Sequence, residues 1–272
     1  AQRNNLDLGT FAIFLGNGYH DGVQRLILAD PHLGQRRADV ASMVGLLERA
    51  VDRGVGEVIY LGDVCQYLIG LSKLWTDSVR ELLSAWERLR SRGLRIVVVE
   101  GNRDFFLDGR EMAPYLDLAA RRYEFFAGGA RFRLEHGDRV NRRDYQYRFW
   151  AGVSKCGPAR IGARLLPGGL AVWIVQTMES RLAKTNRKFR YRKPVDDLVR
   201  EARAAWAEGV DVLLWGHFHT PWICSQEGRV AMVVPAWLDF DLGLHVEADG
   251  RWRLVEKTLT PPVELPTMER CP

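Results

Sequence analysis

An α/β fold built on a parallel sheet is predicted by three alternations of apolar strand and amphipathic helix between residues 26 and 99. A second observation places the chemistry. Each of the three strands runs directly into a metal-competent side chain, at the carboxyl edge where open α/β sheets bind their ligands. The first is Leu26-Ile27-Leu28-Ala29, a short unbroken apolar run that reads as a buried strand and ends in Asp30-Pro31-His32. Its end delivers a carboxylate and an imidazole two residues apart.

The remaining elements follow in order. Apolar residues at helical spacing (Val40, Val44, Leu47, Val51) predict a helix over 38–51 that stops near Gly54. Val58-Ile59-Tyr60-Leu61 is a second buried strand, and it opens onto Gly62-Asp63. A charged amphipathic helix is predicted over 74–90, stopped at Gly93. The third strand, 95–99, opens onto Glu100-Gly101-Asn102-Arg103-Asp104. In the second half, 131–135 is a strand leading to His136-Gly137-Asp138, and a long basic helix-prone stretch covers roughly 142–192. A helix over 195–208 precedes the strand Val212-Leu213-Leu214-Trp215, which runs into Gly216-His217-Phe218-His219. The tail, 229–255, alternates in short strands that read as antiparallel.

Composition bounds the function. The 272 residues are 47% hydrophobic, which suits a globular protein of one large domain or two small ones. The net charge of +5 and pI near 9.1 favour acidic partners such as phosphorylated small molecules, anionic lipid or nucleic acid. The cysteines at 65, 156, 224 and 271 show no paired spacing, so the expectation is unpaired thiols in a reducing compartment. No apolar run reaches the roughly 18 residues of a spanning helix. The N-terminal run from Phe11 to Leu15 is too short for a signal peptide, and residues 1–22 are assigned no function.

Collected together, the strand-end residues are Asp30, His32, Asp63, Asn102, His136, His217 and His219. Taken singly, each reads as an ordinary loop residue. Five clusters sharing one ligand chemistry at five strand ends point instead to metal. Imidazole and carboxylate without thiolate suit Mn, Fe, Zn or Ni in a reactive site better than a structural zinc. Seven ligands exceed one ion, whereas two ions about 3.5–4 Å apart with a bridging carboxylate match the count and clamp phosphoryl oxygens. Glycines at 62, 101, 137 and 216 are expected to let backbone approach closely.

The blocks Asp30-x-His32, Gly62-Asp63, Gly101-Asn102, His136-Gly137-Asp138 and Gly216-His217-x-His219 resemble, in order and spacing, the five motifs of calcineurin-like metallophosphoesterases. The resemblance implies an α/β fold in the form of an αββα four-layer sandwich, a single domain over 1–272 with a helical insert at 140–192. It implies one ion held by Asp30, His32, Asp63 and His219, and another by Asp63, Asn102, His136 and His217, with Mn the usual metal. Gly-Asn-Arg-Asp-Phe, here Gly101 to Phe105, is similar to the UDP-2,3-diacylglucosamine hydrolase group. So are Asp144 with Tyr147 and the late Pro235-Ala236-Trp237. Other positions differ from that group: Cys65 and Leu68 stand where aromatics are usual, Asn141-Arg142-Arg143 replaces Cys-Thr-Asp, and Pro31 replaces Leu.

That resemblance implies hydrolysis of UDP-2,3-diacylglucosamine to UMP and 2,3-diacylglucosamine 1-phosphate. Asn102 and Arg103 would be catalytic, and Arg103, Asp144, Tyr147, Lys184, Arg187 and Lys188 would touch substrate. Asp104 and Asp138 are expected to orient ligands. The insert interleaves apolar residues (Trp150, Ile161, Leu165, Trp173) with basic ones (Arg142, Arg148, Arg160, Arg164), which reads either as an ordinary helix pair or as a lid for acyl chains and anionic headgroups. The expected location is the cytoplasmic face of the inner membrane, peripheral on its anionic surface, with no protein partner implied. Two rivals are a metallophosphoesterase of soluble nucleotides, phosphodiesters or nucleic acid, and a non-catalytic module on the same fold. Intact ligands at all seven positions argue against the latter.

Overall fold

The computed structural model describes residues 22–36, 38–140, 161–162, 165, 167, 169, 194–262 and 269–270. The expected insert at 140–192 therefore lies almost wholly outside the described residues, as do Asp144, Tyr147, Lys184, Arg187 and Lys188.

Two six-stranded mixed sheets form the frame. The first contains β1 (Gln24–Ala29), β2 (Val55–Leu61), β4 (Arg95–Val99), β6 (Leu118–Ala120), β12 (Gly243–Val246) and β13 (Trp252–Val255), in the order β13-β12-β1-β2-β4-β6. The strands β1, β2, β4 and β6 run parallel, as the strand-helix alternation predicts, while β12 and β13 are antiparallel. The second contains β7 (Arg122–Ala127), β8 (Ala130–Glu135), β9 (Val212–Trp215), β10 (Trp222–Gln226), β11 (Arg229–Val233) and β14 (Glu269–Arg270), in the order β14-β10-β11-β9-β8-β7. The antiparallel reading of the tail holds for β10 with β11 and β12 with β13. It fails for β11, which lies parallel to β9. A β-hairpin is legible locally, but β11 finds its other neighbour across the chain.

Side chains alternate between the two faces of each strand, and the core records that alternation. Leu26, Leu28, Val58, Tyr60, Ile96 and Val98 face outward onto α1 (Asp39–Asp52) and α2 (Asp77–Ser91), with Met43, Leu47, Leu82 and Trp86. The intervening residues Ile27, Ile59, Leu61, Val97 and Val99 face the second sheet, meeting Phe132, Leu134, Val212, Leu214 and Met232. On the far side, Leu213, Trp215, Trp222 and Ala231 pack on α3 (Val195–Ala207) through Leu198, Ala202 and Trp206. Three apolar layers between four layers of structure make the αββα sandwich. Both faces of the central strands are buried, which is why they read as continuous apolar runs.

The helices begin and end on local chemistry. Thr76 caps α2 by accepting the Val79 N–H, and Trp86 on its buried face donates to the Tyr60 hydroxyl at 3.1 Å. At the start of α1 the Asp39 carboxylate accepts the backbone N–H groups of Gly34, Gln35 and Arg36 at 2.9–3.0 Å. That gathers the loop directly after His32. A two-stranded ribbon of β3 (Leu68–Ile69) and β5 (Asp104–Phe105) links the loops that follow β2 and β4. The short helix α4 (Trp237–Phe240) follows β11.

Cysteine usage departs from expectation. Cys65 is a buried free thiol, but Cys224 on β10 is disulfide-bonded. Sequence spacing carried no sign of that bond.

Candidate metal centre

The carboxyl ends of β1, β2, β4, β8 and β9 converge, and each hands over the residue that its motif supplies. Asp30, His32, Asp63, His136 and His219 are buried, five polar side chains withdrawn from water at one edge of the sandwich. Buried ionisable groups of this number persist only when paired, hydrogen-bonded or metal-bound.

Backbone conformation is unusual at the same positions. Asp30, His32, Asp63, His217 and His219 all adopt positive φ, between 46° and 68°. Non-glycine residues seldom occupy this left-handed region, and such strain gathers at functional sites. Two glycines permit the close packing. A Cβ on Gly62, itself at φ 82°, would fall 2.0 Å from His136 Nδ1, and one on Gly216 would fall 2.6 Å from Asp30 Oδ2.

The donor geometry is compact. Single donor atoms of Asp30, His32 and His219 lie within 4.8 Å of one another, and so do those of Asp30, Asp63 and His136. Asp63 presents Oδ2 3.8 Å from His32 Nε2 and Oδ1 3.7 Å from His136 Nε2, one oxygen toward each half of the site. Asn102 Oδ1 lies 3.1 Å from His136 Nε2. The His32 and His219 rings stack with centroids 5.4 Å apart, and His217 meets His136 edge-on at 5.1 Å.

Hydrogen bonds outside this ring orient it. His136 Nδ1 donates to the Leu61 carbonyl at 3.1 Å, which leaves Nε2 directed at Asp63 and Asn102. His219 Nδ1 donates to Asp239 Oδ2 at 2.5 Å, leaving its Nε2 for an ion. Asp30 Oδ2 accepts the His217 N–H at 2.6 Å, tying β1 to the loop after β9. Asp104 accepts the N–H groups of Asp63 and Gly101, both at 2.8 Å, and so joins the loops after β2 and β4. Asp138 lines a small cavity beside His136 with Glu100, Arg121, Glu135 and Arg139. Sequence reasoning missed Asp239. The nearest signal is Trp237 two residues earlier, and nothing in the local pattern aims α4 at His219.

The electrostatics ask for a cation. Burial raises the Asp30 carboxyl, partly opposed by His136 and His219. Burial also works against charge on Asp63, but His136, His32 and Arg103 outweigh it and hold that carboxyl well below its ordinary range. Burial opposes protonation of His136 too, yet Asp63 and Asp30 overcome it and lift the imidazole to about 9. His217 moves the other way, down to about 3, through burial and the neighbouring His136. Two buried carboxylates thus draw positive charge into the site, and Asp30 Oδ1 has no hydrogen bond there. A divalent ion matches that demand, and the oxygen and imidazole donors suit it. Cys65 takes no part, since burial, with Asp104 and Asp39 nearby, pushes its thiol far above the usual range.

The four-layer sandwich of two mixed sheets with these donors at its strand ends is the architecture that the motif resemblance implies. No family model matches the chain. Among curated proteins it is similar to the UDP-2,3-diacylglucosamine hydrolases. It is 29% identical to that of Aeromonas salmonicida over 252 residues, covering 86% of this chain and 93% of that protein. It is 28% identical to that of Ralstonia nicotianae over 245 residues, covering 86% and 90%, and 28% identical to that of Azotobacter vinelandii over 247 residues, covering 83% and 95%.

Proposed function

We propose that this protein is a two-metal hydrolase that cleaves the pyrophosphate of UDP-2,3-diacylglucosamine, giving UMP and 2,3-diacylglucosamine 1-phosphate. The observation that carries the proposal is the Asp63 carboxylate, whose two oxygens face His32 and His136 separately. That disposition supports an ion held by Asp30, His32, Asp63 and His219, a second held by Asp63, Asn102, His136 and His217, and Asp63 between them. Mn2+ is the metal assigned. When bound, the ions supply Lewis-acid charge and lower the pKa of water. The extent of similarity to the curated hydrolases supports the choice of substrate.

The chain's own residues then have defined tasks. The imidazoles and carboxylates hold the reacting centre at one fixed place, with their rings oriented by Leu61 O and Asp239. Arg103 lies beside Asp63, its backbone N–H donating to Oδ1 at 2.9 Å and its Nε 3.6 Å from Oδ2. A guanidinium cannot give up a proton near neutral pH, so Arg103 stabilises charge on the phosphoryl oxygens and does not act as general acid. Asn102 orients both the site and the phosphate. Overall, water adds to the α-phosphorus, the bond to the bridging oxygen breaks, and that oxygen leaves on the lipid 1-phosphate.

The net charge of +5 favours work at an anionic lipid surface, and we place the protein peripherally on the cytoplasmic face of the membrane that carries its substrate. Among the described residues no helix is long and apolar enough to cross a membrane.

The test is turnover in H2(18)O with Mn2+ and UDP-2,3-diacylglucosamine in mixed micelles, beside soluble nucleotide diphosphates and single-stranded DNA. The expected result is release of UMP carrying the label, with the other substrates turned over far more slowly. Preference for DNA or a soluble nucleotide would overturn the assignment. Arg103→Ala should keep its metal content while activity collapses.

A further inference from the structure

We propose that Gln66 is a positioning residue that aims Arg103 at the reacting phosphoryl group. The inference rests on the hydrolase reading above. An arginine side chain carries about 2 kcal/mol of rotamer freedom, which must be removed before its charge acts on a transition state without reorganisation. In this structure Arg103 Nη1 donates to Gln66 Oε1 at 2.6 Å. This is a short, charge-assisted hydrogen bond, stronger than a neutral one. The guanidinium also lies 5.9 Å from the Tyr67 ring centroid, so consecutive residues support it from two directions.

Gln66 is itself held rigidly. Its N–H donates to Leu33 O at 3.1 Å, and Leu33 N–H donates to Val64 O at 2.9 Å. His32 N–H donates to Asp63 O at 3.0 Å, and Leu68 N–H to Arg103 O at 3.1 Å. Segment 63–68 is therefore laced to the loop that carries His32 and to the loop that carries Arg103. A side chain on this segment takes its position from the metal-bearing backbone on both sides. Gln66 thus transmits the register of the metal loops to the Arg103 guanidinium.

The experiment is a double-mutant cycle on the Mn-loaded, full-length protein, read with bis(p-nitrophenyl) phosphate hydrolysis and with calorimetric binding of inorganic phosphate. Gln66→Leu, which keeps bulk but loses the acceptor, should lower kcat about 10–100-fold and weaken phosphate binding, with metal content and Tm unchanged. Gln66→Glu restores the acceptor and should recover most of both. In an Arg103→Ala background Gln66→Leu should cost less than about twofold, since the two residues act as one unit. An equal loss in both backgrounds, or wild-type behaviour of Gln66→Leu, would overturn the role. Failure to turn over UDP-2,3-diacylglucosamine would overturn the substrate instead, and leaves this cycle readable.

Discussion

The two ends of the first sheet bury charge in opposite ways. At the amino ends of β1, β2 and β4 stand Arg25, Glu57 and Arg95, and at the carboxyl ends of the same strands stand Asp30, Asp63 and Asn102. The amino end is closed on itself. Arg25 Nε reaches Glu57 Oε2 at 2.7 Å, Tyr123 OH donates to Glu57 Oε1 at 2.8 Å, and Arg95 approaches the same oxygen at 3.2 Å. Arg25 also lies over the Phe125 ring at 4.2 Å. Every charge there has an opposite charge beside it in ordinary backbone geometry. The carboxyl end gathers carboxylates and imidazoles on left-handed backbone and leaves Asp30 Oδ1 without a hydrogen bond. A buried charge cluster that satisfies itself is scaffold, whereas one that stays open and strained is a binding site.

Three perturbations test that contrast, in descending size, and a fourth, smaller one lies beside it. Asp63→Ala should remove the carboxylate between the two halves of the site and lower kcat/KM by about a thousandfold or more, with metal content falling in elemental analysis. Its Tm without metal should stay near that of the metal-free wild type. Glu57→Ala should do the reverse. It strands Arg25 in the interior and should cost about 3–5 kcal/mol in urea denaturation, while kcat per folded molecule holds. Equal losses of catalysis from both changes would erase the distinction between the two ends.

Smaller effects sharpen it. Asp239→Ala removes the acceptor from His219 Nδ1 and should weaken Mn2+ binding about 10–100-fold by titration of metal-free protein, with little change in fold. The smallest effect lies outside both clusters, at Asp117. Partial burial works against its ionisation, but hydrogen bonds from Arg90 and the Ile96 N–H hold its carboxyl below the ordinary range. Its folded pKa is depressed. The stability it adds is therefore present above the unfolded value of about 3.9 and lost as pH falls through the folded one. Asp117→Asn should lose about 1 kcal/mol at pH 7 and show a shallower acid limb in denaturation between pH 5 and pH 2.

How much of this was legible beforehand follows from the range of each interaction. The strands β1, β2, β4, β8 and β9 announce themselves because both their faces are buried, and the ligands sit directly after them. The helices over 39–52 and 77–91 show in apolar periodicity. The ribbon of β3 and β5 is two residues per strand, too short for any period, yet it is what brings Gln66 and Arg103 together. The parallel pairing of β11 with β9 and the disulfide at Cys224 depend on neighbours chosen across the chain.

The sequence alone determined the kind of chemistry, since imidazole and carboxylate at strand ends are local facts of residue type and spacing. Only the tertiary structure decided which of them meet. The Asp30 carboxylate takes the N–H of His217, 187 residues away, and His219 is oriented by Asp239 on a helix whose sequence gives no hint of it. Periodicity reports which face of an element is apolar, but contact between distant elements is set by how the sheets pack. The donors are written in the motifs, and their geometry is written in the sandwich.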